Sequence, residues 1–277
     1  MTLASLAQRA EQAGLNASAP PQQAQVEGWL IRLSPGKAKR SRCVNALAAG
    51  TLPLDDLLAR CKASFDVAGL PLIVRITPFS QPADIDAQLE AKGYFSFDAA
   101  DVMVLDQLPP VSRETARLQP LDAAAYAELV GALRHSTPIE IAAQAERVAA
   151  STVPYQGFAL RDADGGLLAC GQVAREGTIA GLYDVFTPIK QRGQGHGFRL
   201  CAALLQQAAQ DGAIEAYLQV ASDNEFAKRL YAKLGFRFAY RYHYRSDDVR
   251  ANLQPEIVVL ARKLSGGTFC SMSSGVT

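Results

Sequence analysis

Histidine, cysteine and any surplus of charge are scarce in this sequence. Its 277 residues include three histidines, His135, His196 and His243. None is spaced as a ligand pair, so no metal site is expected. The five cysteines, Cys43, Cys61, Cys170, Cys201 and Cys270, are scattered, odd in number and never in a CxxC pair. That usage argues against a disulfide framework and for a reduced, cytoplasmic protein. Lysine and arginine total 28 against 27 acidic residues, a net charge of +1. Binding to nucleic acid or an anionic membrane through global charge is therefore not expected. No apolar run approaches the length of about 20 residues that spans a bilayer, and residues 1–25 lack the continuous apolar stretch of a secretory leader. What is present suits a packed fold: 49% hydrophobic and 20% charged residues, at a length of about two domains.

Apolar spacing organises the chain. Residues 3–13 read as an amphipathic helix with Leu3, Leu6 and Ala10 on one face, broken by Pro20 and Pro21. Residues 29–33 alternate as a strand and turn at Ser34-Pro35-Gly36. Another apolar stretch begins at 43–47. Pro53 opens a helix carrying Leu54, Leu57, Leu58, Cys61 and Phe65, which Gly69 ends. A strand at 71–77, a helix at 84–92 stopped by Gly93 and a strand at 94–105 follow. Leu108-Pro109-Pro110-Val111-Ser112 is the best linker signal. Beyond it come helices at 122–133 and 139–150, and a hairpin of 158–161 with 167–175 about the DADGG turn. Then come a strand at 178–187, a glycine loop, a helix at 198–210, a strand at 215–220 and a helix at 225–234. A closing strand pair is expected at 236–244 and 256–263. Uncharged residues 265–277 read as a flexible tail. The expected units are 1–110, 111–264 and the tail 265–277.

The element order of 43–105 echoes the later part of the second unit. Residues 88–97 (QLEAKGYFSF) lie over 230–239 (LYAKLGFRFA) without a gap, a weak internal repeat of about 60 residues.

Two segments carry the chemistry. Arg192-Gly193-Gln194-Gly195-His196-Gly197 follows a strand and opens a helix. Glycines there let a ligand approach the backbone, and the helix N-terminus favours a pyrophosphate. Taken alone, the segment is equally a tight strand-to-helix turn. The spacing is not the G-x-G-x-x-G of a dinucleotide fold, and no lysine follows as in a Walker loop. The second segment, Asn224, Ala227, Leu230, Tyr231, Gly235 and Phe236, has the order N-x-x-A-x-x-L-Y-x-x-x-G-F. Together the two resemble the GNAT family of N-acetyltransferases. Arg192, Gly195 and Gly197 match its Q/R-x-x-G-x-G/A loop, and Asn224 and Tyr231 match its second signature. The resemblance covers about 150 residues and implies a mixed α/β (α+β) fold: a mostly antiparallel central sheet flanked by helices, here in two GNAT-like units.

It also implies a function. Acetyl-CoA would lie where two neighbouring strands splay apart. Backbone of Val185, Phe186 and Thr187 would pair with the pantetheine and polarise the thioester carbonyl. Arg192, Gly193, Gln194, Gly195, His196 and Gly197 would hold the pyrophosphate, with Asn224 beside them. A primary amine, on a small molecule or a protein, would attack directly. Tyr231 is the expected acid for the leaving thiolate. Its reference pKa of about 10 lies above a thiol's of about 8.5, so it keeps its proton at neutral pH. Asp184, counted onto the strand face of Leu182 and Phe186, is the candidate base; it could equally cap a neighbouring backbone group. His135 and His243 read as structural, and Cys201 as core.

The first half lacks these features. Ala48 to Pro53 stand where the loop would be, with one glycine and a proline that removes a donor. Leu89 stands where the second half has Tyr231. This half reads as a degenerate, non-catalytic unit that shapes the acceptor pocket or forms a floor. The basic run Gly36-Lys37-Ala38-Lys39-Arg40-Ser41-Arg42 reads as a solvated loop, or as a site for an acidic acceptor or phosphate. The alternative function is a non-catalytic acyl-CoA-binding or regulatory module. Oligomeric state is not readable.

Overall fold

A computed structural model of the protein describes residues 2–110 and 116–252. Helix α1 (Leu3–Ala17) is capped by the Thr2 side chain and runs past the expected 3–13. A hairpin of β1 (Gln22–Val26) and β2 (Trp29–Leu33) turns at Glu27–Gly28, both at positive φ. A 3-10 turn at Lys39–Ser41 leads to β3 (Val44–Ala46). The first half ends with α2 (Leu54–Ala68), β4 (Val74–Ile76), α3 (Ile85–Ala91) and β5 (Phe95–Leu105).

The second half opens with β6 (Gln119–Leu121), α4 (Ala123–Leu133) and α5 (Pro138–Ala149). Thr137 and Glu140 close a capping box on α5, the pattern that the Thr-Pro start favours. Next are β7 (Tyr155–Arg161), β8 (Leu167–Glu176), β9 (Ile179–Phe186) and α6 (His196–Gln210). The last elements are β10 (Glu215–Ala221), α7 (Glu225–Lys233) and β11 (Arg237–Ser246).

Among the described residues the strands form one sheet in the order β1-β2-β3-β4-β11-β5-β10-β9-β8-β7-β6. Only β3/β4 and β9/β10 are parallel, so the sheet is mixed and mostly antiparallel. Strand β5 of the first half lies between β10 and β11, and β11 of the second lies between β4 and β5. The halves thus exchange strands across their junction. The expected partner of 236–244, residues 256–263, and the tail 265–277 lie outside the described residues. Along its length β11 pairs with β5, and β4 joins at its C-terminal end.

The internal echo is a shared turn. Leu89 and Tyr231 sit one turn from the ends of α3 and α7. Each offers its carbonyl to two later N–H groups, Lys92 and Tyr94 in one case, Leu234 and Phe236 in the other. Gly93 (φ 84°) and Gly235 (φ 92°) then make the same left-handed reversal into β5 and β11.

One face of the sheet packs on α6, whose Leu200, Leu204, Leu205 and Ala208 meet Leu168, Val173, Leu182 and Leu218. Burying each leucine contributes about 1.5–3 kcal/mol. Gly171 is needed beneath this helix, since a Cβ there would lie 2.9 Å from Leu204. Leu6, Ala10 and Ala13 of α1 join a separate cluster with Tyr183, Tyr217 and Tyr240.

Candidate active site

The parallel pairing of β9 with β10 ends at Leu182 and Leu218, although the strands run on to Phe186 and Ala221. They splay beyond that point. Backbone groups on the facing edges there lose their ladder partners.

A bulge at the same place bends β9. Cys170 of β8 pairs with Phe186 and Gln172 with Tyr183, so β9 carries one extra residue. Asp184 takes φ 49°, a conformation a non-glycine residue adopts at a cost. The fully buried Tyr126 of α4 holds the bulge by donating its hydroxyl to the Asp184 carbonyl (2.8 Å). Its ring lies over Gly157, where a Cβ would meet it at 2.6 Å. The bulge corrects the sequence-based face assignment of Asp184. Leu182 and Val185 pack with the cluster under α6, whereas Phe186 packs with Tyr126 and Val130. Leu182 and Phe186 therefore lie on opposite faces, because the extra residue shifts the period-2 alternation.

Both oxygens of the Asp184 carboxylate are engaged. Arg134 donates to Oδ1 at 2.7 Å and Gln144 to Oδ2 at 3.0 Å. Burial raises its pKa, but Arg134, with Arg147 and Arg40 nearby, outweighs this and holds it below the usual carboxylate range. That lowers its affinity for a proton and weakens it as a base.

The glycine loop meets the start of α6. Gly193 (φ 77°) and Gly195 (φ 78°) are left-handed, and Gly195 is the N-cap. Among the described residues, the N–H groups from Gly193 to Phe198 have no acceptor. No acidic residue occupies the first turn. Arg192, Arg199, Arg229 and Lys233 line the groove of about 630 Å³ over this loop. Gly197 packs closely, its missing Cβ lying 3.2 Å from Thr187 Oγ1 and 3.3 Å from Leu230. A row of free donors at a helix N-terminus, ringed by cations, fits a pyrophosphate. The Arg192 side chain donates back to the Thr187 carbonyl (3.2 Å) and stands over Phe186. Gln194 is tied to the Lys190 carbonyl.

Helix α7 starts at Asn224, whose side chain accepts from Ala227 N–H (3.0 Å). Leu230 lines the loop groove and Tyr231 the neighbouring cavity. The Tyr231 ring packs edge-on to Phe236 at 6.1 Å. Its hydroxyl has no hydrogen-bond partner among the described residues. Burial pushes its pKa above the usual tyrosine value, so it stays protonated and able to donate at neutral pH.

The cavity at the splay has a volume of about 430 Å³ and is bordered by Leu182, Asp184, Val185, Gln219, Asn224 and Tyr231. Two further walls complete it. One is the basic loop of the first half, from Ser34 to Ser41, and the other is the α4–α5 pair with Arg134, Gln144 and Arg147.

Residues 5–245 match the protein family described as "Probable histone acetyltransferase Rv0428c C-terminal". This chain belongs to that family. It is also 25% identical over 223 residues to the uncharacterized N-acetyltransferase YobR of Bacillus subtilis (strain 168), covering 78% of this chain and 89% of the relative. Its fold resembles a GCN5-related N-acetyltransferase from Kribbella flavida (TM-score 0.60, 17% identity, 88% of this chain and 95% of the other). A tandem GNAT protein from the clavulanic acid biosynthesis pathway is similar too (TM-score 0.56, 16% identity, 82% and 83% covered).

In this GNAT protein the structure brings Val185, Asp184, Asn224 and Tyr231 to one cavity and Thr187, Arg192, Gly193, Gly195, His196 and Gly197 to the adjoining groove. Phe186 instead turns toward Tyr126. His196 is the first residue of α6, and its Nδ1 is buried without a partner. His243 bonds Asp86 (2.9 Å) far along β11, and Cys201 is fully buried. Arg134, Gln144, Arg147 and Tyr126 were not singled out from sequence. They lie on helices whose faces show no motif, and only the fold brings them to β9. The basic run was visible as a run, but its place in the cavity wall was not. Among the described residues no helix is long and apolar enough to cross a membrane.

Proposed function

We propose that this acyltransferase-family protein moves the acetyl group of acetyl-CoA to a primary amine, in a ternary complex, within the second of two units (1–110 and 111–264). The observation that carries this is the juxtaposition of the splayed β9/β10 edges with the donor row of Gly193–Phe198 and with Tyr231. Acetyl-CoA would supply an activated thioester. The loop N–H groups would hold its pyrophosphate, and the free backbone of Val185 to Thr187 would orient its pantetheine and polarise its carbonyl. The amine nitrogen bonds the acetyl carbon, the C–S bond breaks, and the sulfur takes a proton. In this reading Tyr231, which lines the cavity with its hydroxyl unbonded among the described residues, supplies that proton. Asp184, paired with Arg134, keeps α4–α5 seated on the bulge, and water takes the amine's proton.

Release of free thiol from acetyl-CoA in the presence of a panel of amines tests the proposal. Amine-dependent release is expected. Acetyl-CoA binding with no turnover on any amine would instead mark a non-catalytic acyl-CoA-binding module; the intact loop and Tyr231 argue against that.

A further inference from the structure

The walls of the splay cavity carry unbalanced charge. Lys37, Lys39, Arg40, Arg134 and Arg147 line it, against the carboxylates of Glu140 and Asp184. Lys37 pairs with Glu140, Arg134 with Asp184, and Lys39 with Asp98 outside the cavity. Arg40 and Arg147 make no ion pair among the described residues. Arg147 is 9% exposed and, among the described residues, donates to the Ala17 carbonyl and the Tyr155 hydroxyl. Arg40 donates from Nη1 to Gln219 Oε1 (2.9 Å) and Tyr242 Oη (3.4 Å), and its Nε is buried without a partner. Each guanidinium faces a tyrosine ring, Tyr155 for Arg147 and Tyr183 for Arg40. A ring offsets part of the cost of desolvating a cation, but a counter-charge offsets far more. Gln219 lies one residue past the last position at which β10 pairs with β9, so Arg40, bonded to it, stands where those two strands open.

Resting on the acetyltransferase reading of this site, we propose that the acceptor is a small amine that also bears an anionic group, a carboxylate or a phosphate, seated on Arg40 and Arg147. The cavity volume of about 430 Å³ falls in the usual range for small-molecule sites, about 300–1,000 Å³. A lysine-rich, histone-like tail would bring more positive charge to a wall already in excess of it, at a cost that grows with each residue.

The test uses the full chain, acetyl-CoA and four probes: β-alanine, 2-aminoethyl phosphate, β-alaninamide and a lysine-rich cationic peptide. Rates are compared at equal concentrations of unprotonated amine. At least one anionic probe should exceed the amide and the peptide about tenfold or more in kcat/KM. The arm that wins identifies carboxylate or phosphate. Arg40→Gln should bring that ratio near one through KM, with acetyl-CoA affinity unchanged, and Arg40→Lys should restore much of it. Calorimetric binding of each probe in the presence of CoA gives the same ranking without turnover. An amide or peptide that matches the anionic probes, or a ratio that survives Arg40→Gln in a folded variant, overturns the proposal while leaving the acetyltransferase standing. Absence of thiol release with every probe, alongside tight acetyl-CoA binding, removes the catalytic reading and this inference with it.

Discussion

The described residues contain two parallel-strand junctions, β9/β10 and β3/β4, and the groups around them differ in opposite directions. At β9/β10 the strand β9 bulges against β8 and its pairing with β10 stops early. Among the described residues, the helix that follows presents a row of free N–H groups and carries no acid in its first turn. At β3/β4 the adjoining β2/β3 register is unbroken. The helix that follows, α2, starts at Pro53 and carries Asp55 and Asp56 in its first turn. The N–H of Thr51 is taken by the carboxylate of Glu27 (3.0 Å), which the Thr51 hydroxyl also bonds (2.6 Å). Arg75, at the last position where β4 pairs with β3, makes a two-pronged ion pair with Glu11 of α1. In the first half the protein's own carboxylates stand where an anionic ligand would need donors. Helix, loop and strand order alone do not make a site; it matters which groups are left unsatisfied at the helix N-terminus.

The largest expected effect comes from making the second loop resemble the first. Gly197→Asp puts a negative charge beside the proposed pyrophosphate position and a side chain against Thr187 and Leu230. At about 4 Å and an effective dielectric near 20 the repulsion is about 4 kcal/mol, roughly a thousandfold in acetyl-CoA affinity. Calorimetry on a variant with native circular dichroism checks it, and unchanged affinity would remove the loop assignment. The same titration of the wild type should saturate at one acetyl-CoA per chain. Saturation at two would break the contrast between the halves.

Next is Tyr231→Phe, which moves the second half part of the way toward Leu89. Turnover should fall about 100-fold, the scale of a positioned acid, while acetyl-CoA affinity and melting temperature change little. Because burial raises this phenol's pKa, its ionisation should reduce wild-type turnover only above about pH 10, and the variant should lack that decline. Full activity in the variant would take Tyr231 out of the mechanism.

Gly157→Ala tests the β9 bulge, which has no counterpart in the unbroken β2/β3 pairing of the first half. The new methyl must displace the Tyr126 ring. A loss of about 1–3 kcal/mol is expected, seen as a melting temperature lower by several degrees, together with reduced turnover as the Asp184 carbonyl loses its donor.

A smaller effect is expected from acid. The folded-state pKa of Asp184 is depressed. Its contribution is therefore present above the unfolded value of about 3.9 and is lost as pH falls through the lower folded value. Denaturation midpoints between pH 6 and pH 2.5 should fall less in Asp184→Asn than in the wild type. The difference should be about 1 kcal/mol, the scale of a partly exposed ion pair. Smallest of all is Glu27→Ala, which frees the Thr51 N–H and hydroxyl in a loop that Pro53 and two aspartates still spoil. Acetyl-CoA stoichiometry should stay at one.

The sequence was most legible where local chemistry decides the outcome. The helices at 54–68 and 196–210 were readable from their apolar spacing, and the turns at Gly93 and Gly235 from a glycine that only a left-handed reversal needs. Strands β1 and β6 were missed. Gln22–Val26 is polar and exposed along an edge, and Gln119–Leu121 is three residues long and contains a proline. Neither has an alternation to detect. The bulge was invisible for a related reason. The extra residue at Asp184 is set by the register of β8 against β9, while nothing at position 184 itself demands a positive φ.

By itself, then, the sequence determined the helices, the donor loop and the placement of Asn224 and Tyr231 along one helix. Each depends on residues within a few positions of one another, where backbone propensity and capping act. Only the tertiary structure decided that β5 and β11 change places between the halves, that Tyr126 holds the bulge, and that the loop bearing Arg40 walls the second half's cavity. Those outcomes rest on hydrogen bonds and charges between groups far apart in the chain, as with Arg40 and Gln219 or Tyr126 and Asp184. Local pattern carries no record of them, because their energy exists only once the sheet has brought the partners together.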